Sequence, residues 1–256
     1  MNQLEKLKQI LKGYQKVAIA YSGGCDSHFL YSVACDTLGK DHVLAILCVG
    51  LMMSKEDVKS ARALLQDGQY EVIDIDVLSI DSFRYNRKDR CYHCKKMIMS
   101  QVIKKAREKG FHYVLDGMNH DDLQVYRPGR KACEELGILS PLTIMDKQTI
   151  RQYSKECNIE TYQKPANACL ATRFPYDTYL SEEKLAKVDR IESLLHDFQV
   201  NHVRCRVHEN IVRIEAEKKD FIKIINHPTL IEQVKEEGFE YVTLDLSGIS
   251  SGRFDK

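Results

Sequence analysis

Lys16-Val17-Ala18-Ile19-Ala20-Tyr21-Ser22-Gly23-Gly24-Cys25-Asp26-Ser27 joins an apolar run of strand length to a glycine-containing turn, and a helix-like pattern (Phe29, Leu30, Val33, Ala34) follows at once. A loop between a parallel strand and a helix presents successive backbone N–H groups and a helix N-terminus to an anion. Two glycines let the backbone approach a phosphate closely or take a positive φ. Ser22 and Ser27 add hydroxyls, and Ser27 is placed to cap the helix. The sequence is not of the Walker A type, since no Gly-Lys-Ser/Thr closes the loop.

Outward from this loop the chain alternates strands and helices. Residues 2–12 form an amphipathic helix on Leu4, Leu7, Ile10 and Leu11, closed by Gly13. Beyond the loop come a buried strand at Val43–Val49, a helix at Lys55–Leu65 and a strand at Glu71–Val77. A helix at Lys95–Lys109 leads to a short strand at His112–Leu115, then helices run into Gly137 and over Asp146–Cys157. This alternation predicts an α/β fold with a doubly wound parallel sheet, whose ligands bind beyond the carboxyl ends of the strands. Residues 161–181 follow neither period and read as a linker that enters the site. A helix at 182–196, a hairpin of Val200–Val207 and Ile211–Ala216 around His208-Glu209-Asn210, short helices at 218–226 and 229–237 and a strand at Tyr241–Leu246 make a smaller C-terminal α+β unit. The expected organisation is a domain over 1–160, a linker over 161–181 and a second domain over 182–256.

The chain of 256 residues is formally balanced at +1, which argues against wholesale binding to nucleic acid. No apolar run is long enough to span a bilayer and the N-terminus is polar, so a cytoplasmic protein without a membrane partner is expected. Nine cysteines in such a chain are thiols, ligands or catalytic groups rather than disulfides. Cys35 and Cys48 lie in apolar runs and read as packing; Cys133, Cys157 and Cys205 read as structural, and Cys25 fills the variable place of the loop. Cys91, Cys94 and Cys169 remain. Arg90-Cys91-Tyr92-His93-Cys94-Lys95 is a C-x-x-C in basic surroundings that favour thiolate, which suits either a redox dithiol or two ligands of a metal or iron–sulfur site. No second C-x-x-C or His pair completes a structural zinc site. Cys169 is followed four residues later by Arg173, able to favour its thiolate or hold a phosphate. Arg204 and Arg206 share one face of a strand, where they repel unless an anion or carboxylates stand between them. That suits a phosphate-bearing substrate, and an exposed strand face paired to Glu209 or Glu215 is the plainer alternative.

The loop at 22–27 resembles the PP-loop of the ATP-pyrophosphatase superfamily, which implies an ATP site with Ser22, Gly23, Gly24, Asp26 and Ser27 around the phosphates. The acidic stretch Asp116-Gly117-Met118-Asn119-His120-Asp121-Asp122 falls at the same sheet edge, where Asp116, Gly117, Asp121 and Asp122 are candidates to hold ATP and Mg²⁺; an acidic, capped turn is the plainer alternative. Together with Tyr126-Arg127-Pro128-Gly129, Ser140-Pro141-Leu142, Lys164-Pro165-Ala166-x-Ala168-Cys169-Leu170-Ala171-x-Arg173 and Val242-Thr243-Leu244-Asp245-Leu246, these motifs make nearly the whole chain similar to the LarE family of ATP-dependent sulfur transferases. Met118, His120 and Cys25 depart from the family pattern without removing a proposed ligand.

That resemblance implies a reaction in two halves. ATP·Mg²⁺ adenylates a carboxylate of pyridinium-3,5-biscarboxylic acid mononucleotide, and sulfur at Cys169 displaces AMP to give a thiocarboxylate for nickel-pincer cofactor biosynthesis. Asp26 assists at Mg²⁺ or the phosphates, and Arg173, Arg204 and Arg206, with Glu192, form the pocket for the substrate phosphate. In one form of the family the cysteine gives up its own sulfur; in another, three cysteines hold a 4Fe–4S cluster that carries sulfide. Cys91, Cys94 and Cys169 match the second form. The family further implies a homo-oligomer, trimer or hexamer, a sulfide donor and downstream cofactor-assembly proteins. Two other readings compete: a PP-loop tRNA thiolation enzyme, disfavoured by the balanced charge, and a non-catalytic zinc-stabilised nucleotide-binding protein. An amidotransferase-type synthetase lacks its glutaminase segment.

Overall fold

A computed structural model describes residues 1–65, 68–125, 127–165 and 168–250; Tyr126, Ala166 and Asn167 of the motifs above lie outside the described residues. In chain order the elements are α1 (Gln3–Tyr14), β1 (Val17–Tyr21), α2 (Cys25–Leu38), β2 (Val43–Val49), α3 (Lys55–Ala63), β3 (Gln69–Asp74), α4 (Asp81–Arg84), α5 (Arg90–Glu108) and β4 (Tyr113–Leu115). They continue with α6 (Pro128–Glu135), α7 (Lys147–Glu156), α8 (Glu182–Asp197), β5 (Val203–His208), β6 (Ile211–Ala216), α9 (Phe221–Ile225), α10 (Leu230–Glu236) and β7 (Tyr241–Leu244). Two compact units result. The first comprises Met1–Gly50, Asp57–Asp76 and Asp89–Asn167, the second Leu51–Glu56, Val77–Lys88 and Ala168–Lys256.

The first unit is built on a parallel sheet in the order β3-β2-β1-β4. Every residue of β2 is buried, as a central strand covered on both faces requires. The chain moves from β1 to β2 to β3 in one direction and then crosses back to β4. Right-handed crossovers therefore put α2 and α5 on opposite faces, and α2 packs with α1 and α7 while α5 packs with α6. The strand order reverses between β1 and β4, which makes the ends of these two strands the crevice of the fold. Phe29, Ile19, Leu47, Met99, Val102, Leu115 and Leu142 fill the core. No helix among the described residues is long and apolar enough to cross a membrane.

The second unit has a mixed sheet, β5-β6-β7, with an antiparallel hairpin and a parallel β6–β7 pair. Its hairpin loop is Glu209-Asn210, one residue shorter than the sequence suggested, with Glu209 at φ 54°. α8 and the 3-10 turn Leu170–Arg173 pack on β5 and on each other.

Several element ends differ from expectation. Gly13 does not close α1, which runs to Tyr14 and stops at Gln15, at φ 61°. Ser27 is the third residue of α2 rather than its cap; Gly24 holds the N-cap position. α5 begins at Arg90, so the C-x-x-C lies in a helix's first turns and not in a loop. Asp89 occupies the N-cap place without a side-chain capping bond and the first turn holds no acidic residue, so the sequence carries little start signal there.

Candidate active site

The loop after β1 turns on Gly23, whose φ is +71°. A Cβ there would lie 2.5 Å from the Ala61 Cβ on α3, so the backbone is pressed onto that helix and only glycine fits. The first helical bond of α2 is His28 N–H to the Gly24 carbonyl at 3.0 Å. The N–H groups of Cys25, Asp26 and Ser27 thus face outward from the helix start, where the helix dipole favours an anion. Ser27 Oγ lies 3.0 Å from Ser22 Oγ, accepts from Ser22 N at 3.3 Å and donates to the Gly24 carbonyl at 3.2 Å. The two serines lock the loop's shape. Behind it, His28 and Tyr21 share a 2.8 Å hydrogen bond, and burial pushes the imidazole pKa down, so His28 is neutral at physiological pH.

Asp26 points from the first turn of α2 to Lys147 Nζ at 2.5 Å and to Asn119 Nδ2 at 3.1 Å. The acidic loop stands opposite, at the end of β4. Gly117 abuts α2: a Cβ there would fall 2.9 Å from Ser27 N and 3.1 Å from its Cα. Asp116 accepts from Ser140 Oγ at 2.7 Å and Met118 N at 3.2 Å. Asn119 Oδ1 accepts from Asp121 N and Asp122 N. Asp121 accepts from Lys147 N at 3.0 Å, and Asp122 from Asn119 N at 3.2 Å, with Arg127 at 2.7 Å. These carboxylates reach the expected sheet edge already engaged in shaping it. Asp26, like Asp122, meets a side-chain cation.

Three basic residues of this site escaped the sequence reading. Lys147 opens α7, 121 positions from Asp26. Lys164 Nζ donates to the Gly23 carbonyl at 3.1 Å and Ser60 Oγ at 3.0 Å. Arg151 of α7 donates to the carbonyls of Tyr162 at 2.6 Å and Lys164 at 2.9 Å. No local spacing signals such partners; Lys164 stood inside a quoted motif without a role.

Cys91 and Cys94 sit at i and i+3 on α5, on one side of the helix, the first exposed and the second half-buried. They belong to the first unit and Cys169, half-buried, to the second. Among the described residues no group of three His, Cys, Asp or Glu side chains stands ready to hold a metal ion. Burial raises the thiol pKa of Cys48 to about 12 and of Cys133 to about 11, and that of fully buried Cys205 well above its ordinary value, which suits packing roles. Cys157 is exposed at the end of α7.

In the second unit Arg173 and Glu192 face each other, 5 % and 3 % exposed, joined by two 2.8 Å bonds from Nε and one terminal nitrogen. The other terminal nitrogen of Arg173 donates to the Ala168 carbonyl at 3.1 Å and Thr172 Oγ1 at 3.0 Å, and Glu192 also accepts from Cys205 N at 2.8 Å. Burial alone would depress the Arg173 pKa; Glu192 outweighs it. Arg173 thus ties down the backbone just before Cys169. On β5, Arg204 and Arg206 share a buried face, opposite Glu215 and Arg213 of β6. Arg206 pairs with Glu215 at 3.3 Å and donates to the Thr172 carbonyl; Arg213 reaches Glu215 at 3.2 Å and Asp245 at 3.7 Å. Burial pushes the pKa values of Arg204 and Arg206 down, and neighbouring arginines add to it. Arg204 donates to the Ser250 carbonyl at 3.2 Å, and among the described residues Arg173, Arg204, Arg206 and Arg213 stand with Glu192, Glu215 and Asp245, a guanidinium-rich set to which an anion is suited.

Comparison with known proteins places these sites in context. Residues 3–119 match the family model described as NAD synthase. An uncharacterized protein of Synechocystis is 36% identical over 262 residues, covering 100% of this chain and 97% of its own. The pyridinium-3,5-bisthiocarboxylic acid mononucleotide synthase of Lactiplantibacillus plantarum is 35% identical over 252 residues, covering 96% of this chain and 91% of its own. An uncharacterized protein of Methanocaldococcus jannaschii is 32% identical, covering 96% of each.

Proposed function

The chain belongs to the LarE family of PP-loop proteins, and from that premise we propose that it is an ATP-dependent sulfur transferase acting on pyridinium-3,5-biscarboxylic acid mononucleotide. The observation that carries this reading is the anion cradle of β1, Gly23, Gly24 and α2, facing the acidic loop of β4, in a chain similar to that synthase over 96% of its length. A carboxylate is a poor acyl donor. Its attack on the α-phosphorus of ATP forms the acyl adenylate and expels pyrophosphate, whose charge the Ser22–Ser27 loop and Lys147 receive. A sulfur nucleophile then adds at the acyl carbon and AMP departs, leaving the thiocarboxylate.

Asp26 fits a cation, since its carboxylate already holds the Lys147 ammonium at 2.5 Å. Mg²⁺ bound there would offset phosphate charge. Asp116, Asp121 and Asp122, with Gly117, keep that edge in shape. In the second unit Arg204 and Arg206 take the substrate phosphate, and the Arg173–Glu192 pair braces the pocket and the Cys169 backbone. Two cysteines outside any disulfide, at i and i+3 on one side of α5, suit two corners of a cluster, so Cys91, Cys94 and Cys169 would hold a 4Fe–4S centre that supplies sulfide. The same reading makes the protein cytoplasmic and homo-oligomeric, served by a sulfide donor and followed by cofactor-assembly proteins.

The test is an anaerobic assay of pyrophosphate release and thiocarboxylate formation with the dicarboxylate mononucleotide, alongside iron and sulfide counts per chain. Release that requires the dicarboxylate, and is lost in Asp26→Asn, supports the adenylation step. Failure of wild type to release pyrophosphate sinks it. About four irons per chain, lost in Cys91→Ser and Cys94→Ser, supports the cluster; iron-free protein with Cys169 converted to dehydroalanine after one turnover overturns it.

A further inference from the structure

We propose that Lys164 is a positioning residue that fixes the direction of the Gly23–Gly24 peptide and so keeps the loop competent for a nucleotide phosphate, an inference that rests on the ATP reading of this loop. A peptide between two glycines rotates with little steric resistance, because neither flanking residue carries a Cβ. In a planar trans peptide the C=O and N–H point in opposite directions. Lys164 Nζ holds the Gly23 carbonyl at 3.1 Å, so the Gly24 N–H turns away from Lys164, toward Ser22 Oγ at 3.4 Å. That is the side of the loop on which Ser22 and Ser27 meet. The opposite orientation would present a carbonyl oxygen, the negative end of the dipole, to an incoming phosphate.

The ammonium is itself fixed from behind. Ser60 Oγ accepts from it at 3.0 Å and the Asp57 carboxylate lies 3.9 Å away, both on α3, the helix that Gly23 is pressed against. Arg151 clamps the main chain on each side of Gln163 through the carbonyls of Tyr162 and Lys164. Lys164 therefore acts from the rear of the loop, on a carbonyl, rather than by pointing its charge at the ligand.

The sequence supplies a clean probe, because Gly23–Gly24 is the one Gly–Gly pair in the chain. Full-length protein labelled with carbonyl-¹³C and ¹⁵N glycine gives a single carbonyl-to-amide correlation, that of the Gly24 N–H. Ligand-free wild type, Lys164→Met and Lys164→Arg are compared, with ATP affinity measured by calorimetry. The expected result is one sharp peak in wild type and in Lys164→Arg, and a doubled or exchange-broadened peak in Lys164→Met with ATP bound about tenfold more weakly. A weakened affinity with an unchanged Gly24 peak overturns the proposal and makes Lys164 a direct phosphate contact. A doubled peak with unchanged affinity overturns it too. If wild type binds no ATP while the Lys164→Met peak still doubles, control of the peptide stands and the nucleotide reading fails instead. Lys164→Arg keeps the charge and the fold, so a broadened peak there also counts against the proposal.

Discussion

Replacing Glu192 by alanine strands a buried charge, and the consequence can be worked from the distances. Glu192 is 3 % exposed and takes two 2.8 Å bonds from Arg173 and one of 2.8 Å from Cys205 N. Its removal leaves the guanidinium without a counter-charge, at a cost of about 3–5 kcal/mol. The Cys205 N–H loses its acceptor as well, worth about 1–3 kcal/mol. Local repacking keeps the two from adding in full, so a loss of about 4–6 kcal/mol is expected, a large share of the roughly 5–15 kcal/mol that holds a domain folded. Glu192→Gln retains an acceptor for Cys205 and loses only the charge, so it falls between. The paired change Arg173→Met with Glu192→Leu removes both charges and costs about 1–2 kcal/mol, most of it the orphaned N–H. Urea unfolding followed by far-ultraviolet circular dichroism reads the order, with m held constant. If the paired variant is as unstable as Glu192→Ala, the stranded charge is not the cause and the reasoning is refuted.

Three further outcomes follow from single features. Burial lowers the pKa values of His28, His202 and His208 below the ordinary value near 6.5. The unfolded chain therefore takes up these protons first, so stability should fall as pH drops through about 6.5 and below, by up to about 1.4 kcal/mol per pH unit for buried His28 and by less for the part-exposed His202 and His208; a flat unfolding free energy between pH 7 and pH 5 would falsify this. Gly13→Ala should stabilise by about 0.5–1 kcal/mol, since Gly13 lies inside α1 with nothing within 4 Å of an added Cβ, whereas Gly117→Ala pushes on the Ser27 backbone at 2.9 Å and should weaken ATP binding by roughly tenfold; thermal melts and calorimetry check the pair. In metal-free native protein iodoacetamide should reach Cys91 and Cys157, both exposed, well before Cys48, Cys133 and Cys205. Peptide mapping by mass that found Cys205 among the first modified would contradict the packing.

The parallel sheet was legible because its strands are short apolar runs bounded by polar turns, and β2 was read to the residue. The loop at 22–27 was legible because its chemistry is local: two serines and two glycines at a strand end. Helix ends were less so. Ser27 looked like a cap, yet Gly24 takes that place and frees Ser27 to bond Ser22 across the turn. What escaped was whatever arrives from far along the chain. Lys147 and Lys164 reach the loop from α7 and the turn beyond it, and a lysine carries no periodicity that announces where its long side chain ends.

The arginine face shows how narrowly such information can be missed. Strand alternation puts Arg204 and Arg206 on one side and offers Glu209 or Glu215 as partners of an exposed face, whereas the face is buried and Glu215 is the partner. A hairpin loop of His208, Glu209 and Asn210 would pair Val207 with Ile211 and thus Arg204 with Ile214, leaving two buried cations against apolar residues. The actual loop, Glu209-Asn210, slips the register by one and brings Glu215 opposite Arg204 and Arg213 opposite Arg206. Burial itself selects between these registers, since two desolvated guanidiniums without a carboxylate would cost several kcal/mol. The other face selects the same way, since the longer loop would set Val203 and Cys205 against Glu215 and Arg213, so fully buried Glu215 and the apolar pattern together favour the shorter loop and, among the described residues, leave the face rich in guanidinium. Guanidinium in a desolvated pocket is what a phosphate-bearing substrate can use.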